Sequence, residues 1–199
     1  MRRALIVIHR WIGLAAALFL ILISVSGTLL IFEEGLDRWT FRRMAYVTPA
    51  GNPLPLQELV KRVETATKGQ VLNLQYPEKP EFASRMIVQH GREIRFTYGN
   101  PYTGEVLGSM TQPERERTFQ RRIYNLHVRL LSGPSGQTVV TIVTALTLLM
   151  TLSGIYIWWP RKILSIKRTS NWRRWNFDFH SAVGFYTSVF ALILTGTGL

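Results

Sequence analysis

The sequence predicts an α-helical membrane protein: three transmembrane helices, with a small extracytoplasmic α+β domain between the first and second. Three observations lead there. Trp11 to Phe32, Thr138 to Trp159 and Phe179 to Leu199 contain no Lys, Arg, Asp or Glu. Each has enough residues to cross a hydrocarbon core of about 30 Å at about 1.5 Å per residue. Between the first two runs, residues 33 to 125 are polar and carry the signals of short strands and helices, as a water-facing domain does.

The placement of charge sets the expected orientation. The formal net charge is +12, which taken alone is compatible with nucleic acid binding. Its distribution argues against that and against nucleic acid as a partner. Arg161, Lys162, Lys167, Arg168, Arg173 and Arg174 crowd the short link between the second and third runs, while Arg2, Arg3 and Arg10 flank the first. Basic short loops stay cytoplasmic. The N-terminus is therefore expected inside and the middle domain outside, with membrane lipid as the first partner.

The first crossing is assigned to 1–36. Small residues Ser24 and Ser26 before Gly27 resemble a signal-peptide cleavage site, but the run is longer than a signal core and stays apolar to Phe32, which predicts a retained helix. The extracytoplasmic domain is assigned to 37–112. Trp39 is placed at headgroup level, and Arg42 to Pro55 reads as a proline-punctuated connector. Leu56, Leu59, Val60 and Val63 recur at helical spacing, with Gly69 as the stop. Val71 to Tyr76, Arg85 to Gln89 and Glu93 to Tyr98 read as strands, with His90-Gly91 as the turn between the last two; a further turn at Asn100 to Gly104 leads into Glu105 to Gly108.

Thr111, Pro113 and Glu114 have the spacing of a capping box with proline in the first turn, announcing an amphipathic interfacial helix over 113–132. Its expected apolar stripe is Phe119, Ile123, Leu126, His127 and Leu130, broken by Gly133-Pro134-Ser135-Gly136. The second crossing is assigned to 133–160, ending in Thr151-Leu-Ser153-Gly154 and Trp158-Trp159-Pro160-Arg161. A basic cytoplasmic loop over 161–176 and a third crossing over 177–199 complete the chain.

The first and third crossings repeat one module. His9 and His180 each open an apolar run, with Gly13 and Gly184 four residues on and a hydroxyl-rich exit, Ser24-Val-Ser26-Gly27 or Thr195-Gly-Thr197-Gly198. Helical phase puts Gly13, Ala16, Leu20, Ser24 and Gly27 on the face of His9, and Gly184, Thr187, Ala191, Thr195 and Gly198 on that of His180. Both histidines belong to the cytoplasmic end under the expected topology. Two readings stand. Small-residue grooves commonly let helices approach one another. Alternatively, the grooves leave room for a porphyrin whose iron lies between the two imidazoles, with Arg2, Arg3, Arg10, Arg173 and Arg174 near enough in sequence to neutralise propionates.

Other chemistry finds little support. Without cysteine there are no disulfides or thiolate metal sites. HExxH, GxSxG and a phosphate-binding glycine loop are missing. Asp178 is expected as a helix-start residue, and His90 as a solvated turn residue.

Taken together, IHRWIGL, SGTLLIF, NPYTGEVLG, NLHVRLLSGPSG, LSGIYIWWPRK and FHSAVGF resemble the PepSY-associated transmembrane family, which includes iron-regulated membrane proteins and ferric-siderophore reductases. The resemblance covers essentially the whole chain. It implies a PepSY-like domain in residues 53 to 110, a bacterial inner-membrane location with that domain periplasmic, and one or two b-type haems with His9, His180 and His127 as axial-ligand candidates. The implied function is electron transfer outward to ferric siderophores or other ferric chelates. Longer members carry a further membrane helix, and this chain stops at Leu199 with no second outer histidine. His127 is thus left to pair across a homodimer or with an additional membrane subunit, to leave the inner haem alone, or to belong to a shortened member without electron transfer. The alternatives to an oxidoreductase are a non-enzymatic, membrane-anchored accessory protein that binds a periplasmic partner or regulates a peptidase, and a subunit of a larger transporter.

Overall fold

The computed structural model describes residues 2–159, 166 and 171–197. Pro160, Arg161, Lys162, Lys167, Arg168 and Gly198 lie outside the described residues. Contacts divide the chain into two units, Met1–Gly27 with Asn125–Leu199, and Thr28–Tyr124.

The first unit contains three helices long and apolar enough to cross a membrane: α1 (Arg2–Leu30), α7 (Gly133–Trp158) and α8 (Trp172–Thr197). Hydroxyls inside these helices are satisfied locally. Thr138, Thr141, Thr144, Thr147 and Thr151 of α7 each donate to the carbonyl four residues back, the usual solution for Ser and Thr where no water is available. Trp158 of α7 stacks on Phe185 of α8 with ring centroids 4.0 Å apart.

The second unit is an antiparallel meander, β1 (Gln70–Gln75), β2 (Ser84–His90), β3 (Glu93–Gly99) and β4 (Val106–Thr111), in the order β1-β2-β3-β4. Alternation decides its two faces. The helix α4 (Leu56–Thr67) lays Leu59 and Val63 against Met86 and Val88 on one face. On the other, Tyr98 and Met110 pack with Ala45 and Ala83.

Several expected elements differ in detail. The capping box forms, with Thr111 accepting from the Glu114 amide and the Glu114 carboxylate accepting from the Thr111 amide. It caps only α5 (Gln112–Glu116), and the expected helix over 113–132 is two helices, because Thr118 starts another. The Thr118 hydroxyl donates to the Arg115 carbonyl and accepts from the Arg121 amide, initiating α6 (Phe119–Arg129). Of the expected stripe, Ile123 is buried and Phe119 is exposed. The break before α7 begins earlier than the glycine-proline segment: Leu130 and Leu131 are both left-handed, at φ 47° and 58°. Gly136 lies inside α7, where a side chain would run into the Arg129 carbonyl.

The connector after residue 41 contains α2's successor, since α2 (Glu33–Thr40) is followed by the short α3 (Arg42–Ala45), and Tyr46 bridges to Phe82. His90 closes β2 and pairs with Glu93, so Gly91 (φ 58°) and Arg92 make the turn. Glycine first in a two-residue hairpin loop has the geometry that matches strand twist. Asp178 is not at a helix start. The helix α8 begins at Trp172, where Asn171 accepts from the Arg173 and Arg174 amides, and Asp178 is buried a turn and a half in.

Candidate functional site

The histidines of the repeated module come together. The rings of His9 on α1 and His180 on α8 have centroids 6.3 Å apart at an interplanar angle of 68°. His9 is half-buried and His180 is exposed. His9 Nδ1 lies 2.9 Å from the Ser153 hydroxyl of α7. That hydroxyl donates its proton to the Met150 carbonyl at 3.1 Å, so it can only accept from the ring. The proton on His9 is thereby held at Nδ1, and the Nε2 lone pair is left available. Gly154 completes the seat, since a Cβ there would lie 3.3 Å from His9 Cε1.

The grooves beside the two histidines are not used for helix packing at their first positions. A Cβ on Gly13 or Gly184 would meet no described atom within 4 Å. Along α8 the buried residues are Asp178, Ala182, Ser188 and Thr195, a stripe on which His180, Gly184 and Thr187 do not lie. The close approach that small residues permit is therefore made elsewhere on this helix near His180, where Gly184 and Thr187 stay exposed, and the His180 face is covered only farther along, at Thr195.

His127 on α6 is held by the exit of α1. Its Nδ1 lies 2.8 Å from the Ile23 carbonyl, which only accepts, and 3.4 Å from the Ser26 hydroxyl, which donates to the Leu22 carbonyl at 2.6 Å. Again the proton is fixed at Nδ1. The ring lies over Gly27, where a Cβ would come within 2.8 Å of Cε1. Ile23 is about 21 Å along α1 from His9 at about 1.5 Å per residue, so the two histidines occupy opposite ends of that helix.

Of the arginines near the pair, Arg2 donates to the Ile157 carbonyl at 3.1 Å and Arg174 pairs with Asp178 at 3.2 Å. Sequence reasoning missed Ser153, Ser26 and the Ile23 carbonyl as the groups that orient the rings. The hydroxyl-glycine pattern at Ser153-Gly154 was the available signal for the first. The end of α7 comes beside the start of α1, which brings Ser153-Gly154 to His9. His90 Nδ1 is buried without a hydrogen-bond partner among the described residues, and the ring sits beside Gly69 at the sheet of the α+β unit.

Helices and sheet together define a membrane protein of three crossings with a small α+β domain inserted between the first two. The model of the PepSY-associated TM region matches residues 6–199, essentially the whole chain, and the protein belongs to that family. No curated protein matches it.

Proposed function

We propose that the protein is a haem-binding electron-transfer protein of the bacterial inner membrane, with its N-terminus cytoplasmic and its α+β domain periplasmic, reducing ferric siderophores or other ferric chelates on the periplasmic side. The observation that carries the reading is the pair His9 and His180, with rings 6.3 Å apart and the His9 proton committed to Ser153. Each imidazole nitrogen that binds a metal ion lies about 2 Å from it, so two histidines that hold one ion must have their rings close together, as these do.

The residues present fit a b-type haem. His9 and His180 would hold its iron, and Gly13 and Gly184, where an added Cβ would meet no described atom within 4 Å, leave room beside them. Bound there, haem iron would supply one-electron chemistry, its potential set by ligand identity, burial and hydrogen bonding. The protein's own part is to hold His9 in the Nδ1–H form and to increase the basicity of Nε2 through Ser153. His127 is the candidate ligand for a second haem, its ring fixed by the Ile23 carbonyl in the same tautomer. A second copy of the chain or an additional membrane subunit would supply the opposing ligand. A ferric chelate built from hard oxygen donors is weakened on reduction, because the ferrous ion is softer.

The visible spectrum of the detergent-purified protein, from cells grown with ample haem, tests this directly. A Soret band with sharp α-bands on reduction is expected, lost in His9→Ala and in His180→Ala. His127→Ala is expected to remove one spectral component and leave another. A colourless wild-type protein would sink the reading and leave the domain as a partner-binding accessory.

A further inference from the structure

The α+β unit carries a surface that owes nothing to haem. Its helix α2 is turned the wrong way round for water. Helical phase puts Phe32, Gly35, Leu36 and Trp39 within one arc of about 100°, with Glu34, Asp37 and Arg38 on the opposite side. The charged side is the one that faces the sheet. Glu34 pairs with Arg38 and with Arg85 of β2 at 2.9 Å each, and Asp37 accepts from the Tyr98 hydroxyl of β3 at 2.7 Å. The Arg38 guanidinium lies over Phe82, 4.0 Å from the ring centroid.

The apolar side is left outside. Phe32 is 63% exposed and Trp39 78%, and Ile31 just before them is 79% exposed. A Cβ on Gly35 would meet no described atom within 4 Å. Water drives large apolar groups inward, so a helix that turns its ions to the sheet and its rings outward fits a neighbour that is itself apolar on that side.

Two further observations say what that neighbour is. Only Ile31 and Phe32 separate α1 from α2, and three Cα steps span at most about 11 Å. The helix α2 therefore begins within that reach of the end of a helix long and apolar enough to cross a membrane. Beyond Trp39 the outward face continues into α3 with a change of chemistry. Phe41, Met44 and Ala45 belong to the core beside the sheet, while Arg42 and Arg43 are exposed. Among the described residues neither arginine has an ion-pair partner. Glu33 lies in the first turn of α2, at the far end from them, where a helix N-terminus favours an acid.

We propose that α2 and the start of α3 dock the α+β unit on the bilayer surface and bind anionic phospholipid there. Ile31, Phe32 and Trp39 enter the level where acyl chains meet headgroups, the depth at which aromatic side chains collect. Arg42 and Arg43 take the headgroup phosphates and favour lipids of net negative charge. The ion pairs on the other side of α2 hold the sheet to this anchor.

The chain has no cysteine, so a single fluorophore can be placed where it is wanted. Full-length protein carrying Gly35→Cys, labelled with bimane, is reconstituted in phosphatidylcholine vesicles. These contain increasing amounts of a lipid with a nitroxide near the top of its acyl chain, either phosphatidylcholine or phosphatidylglycerol. Quenching by both is expected, with phosphatidylglycerol reaching half-quenching at a mole fraction lower by about fivefold or more, the preference expected of one to two arginines at an anionic surface. Arg42→Gln together with Arg43→Gln is expected to bring the two lipids to the same mole fraction. A label at Gln57→Cys, exposed on α4 against the other sheet face, is expected to be quenched by neither. Four outcomes each overturn the proposal. They are no quenching at position 35, as when a partner protein or a second copy covers the rings; equal quenching by both lipids; an unchanged preference in the double arginine variant; and quenching at position 57 as strong as at position 35. The lipid comparison needs no arginine variant, so it stands even where that variant does not fold.

Discussion

The two units of the chain bury opposite kinds of residue. In the α+β unit the fully covered side chains include Leu59, Val63, Met86 and Val88. In the membrane unit the buried residues are Ala16, Ser26, Gly136, Val143, Asp178, Ala182, Ser188 and Thr195, while Leu14, Leu18, Ile21, Phe190 and Leu194 point outward. Water drives large apolar groups inward, and hydrocarbon removes that drive. One unit is therefore held by apolar burial. The other is held by close approach and by hydrogen bonds, and those same bonds orient its histidines.

The largest expected effect lies where burial does the holding. Leu59→Ala deletes a fully covered side chain and is expected to destabilise the α+β unit by about 2–5 kcal/mol. Chemical denaturation followed by limited proteolysis between residues 37 and 112 measures it, and the membrane helices are expected to stay protected. A loss of protection in both units at one denaturant concentration would erase the distinction between them.

Next comes steric overlap in the membrane unit. Gly27→Val places atoms where the His127 ring lies, 2.8 Å from the position of a Cβ. Overpacking of this kind costs about 1–3 kcal/mol. The bond from His127 to the Ile23 carbonyl is expected to break, read as a new exchangeable proton environment for that ring by NMR of histidine-labelled protein. A His127 signal unchanged in Gly27→Val would mean that the ring is held by something other than its seat on α1.

A smaller effect separates orientation from stability. Ser153→Ala removes the acceptor for His9 Nδ1–H. Hydrogen bonds between membrane helices average about 0.6 kcal/mol, with a maximum near about 1.7 kcal/mol, so unfolding is expected to shift little. If haem is bound at His9 and His180, its reduction potential and α-band are expected to move more visibly, since the ligand loses the group that fixes its tautomer. A spectrum and potential identical to wild type would leave Ser153 a packing residue.

These differences explain what was legible in the sequence. Charge-free runs and alternating strands are local patterns, and so the three membrane helices and a small antiparallel sheet could be read directly. The juxtaposition of His9 and His180 also followed, because a repeated phase and an expected topology place both at one end. Ser153 and the Ile23 carbonyl could not be read in the same way. Each acts across helices, and a backbone carbonyl carries no residue-type signal at all. The left-handed Leu130 and Leu131 were hidden for a related reason: leucine there contradicts local propensity, and the conformation is imposed by the turn into α7.

The smallest effect is expected on the surface of the α+β unit, where charge rather than burial contributes. The Arg85 hydrogen bond holds the Glu34 carboxyl below its ordinary value, with the Arg85 and Arg38 charges adding to the shift. A carboxyl depressed in the folded state stabilises the fold above its unfolded pKa, about 4.3, and that contribution is lost as pH falls through the folded pKa. Because the Glu34 side chain is 47% exposed, solvent screening limits the pair to about 0–1 kcal/mol. Arg85→Gln is therefore expected to lower denaturant stability slightly at about pH 7 and by less at about pH 3, because the contribution fades as Glu34 takes up its proton. A difference of the same size at both pH values would show that Arg85 acts through its packing over the sheet, returning even this surface contact to the apolar logic of its unit.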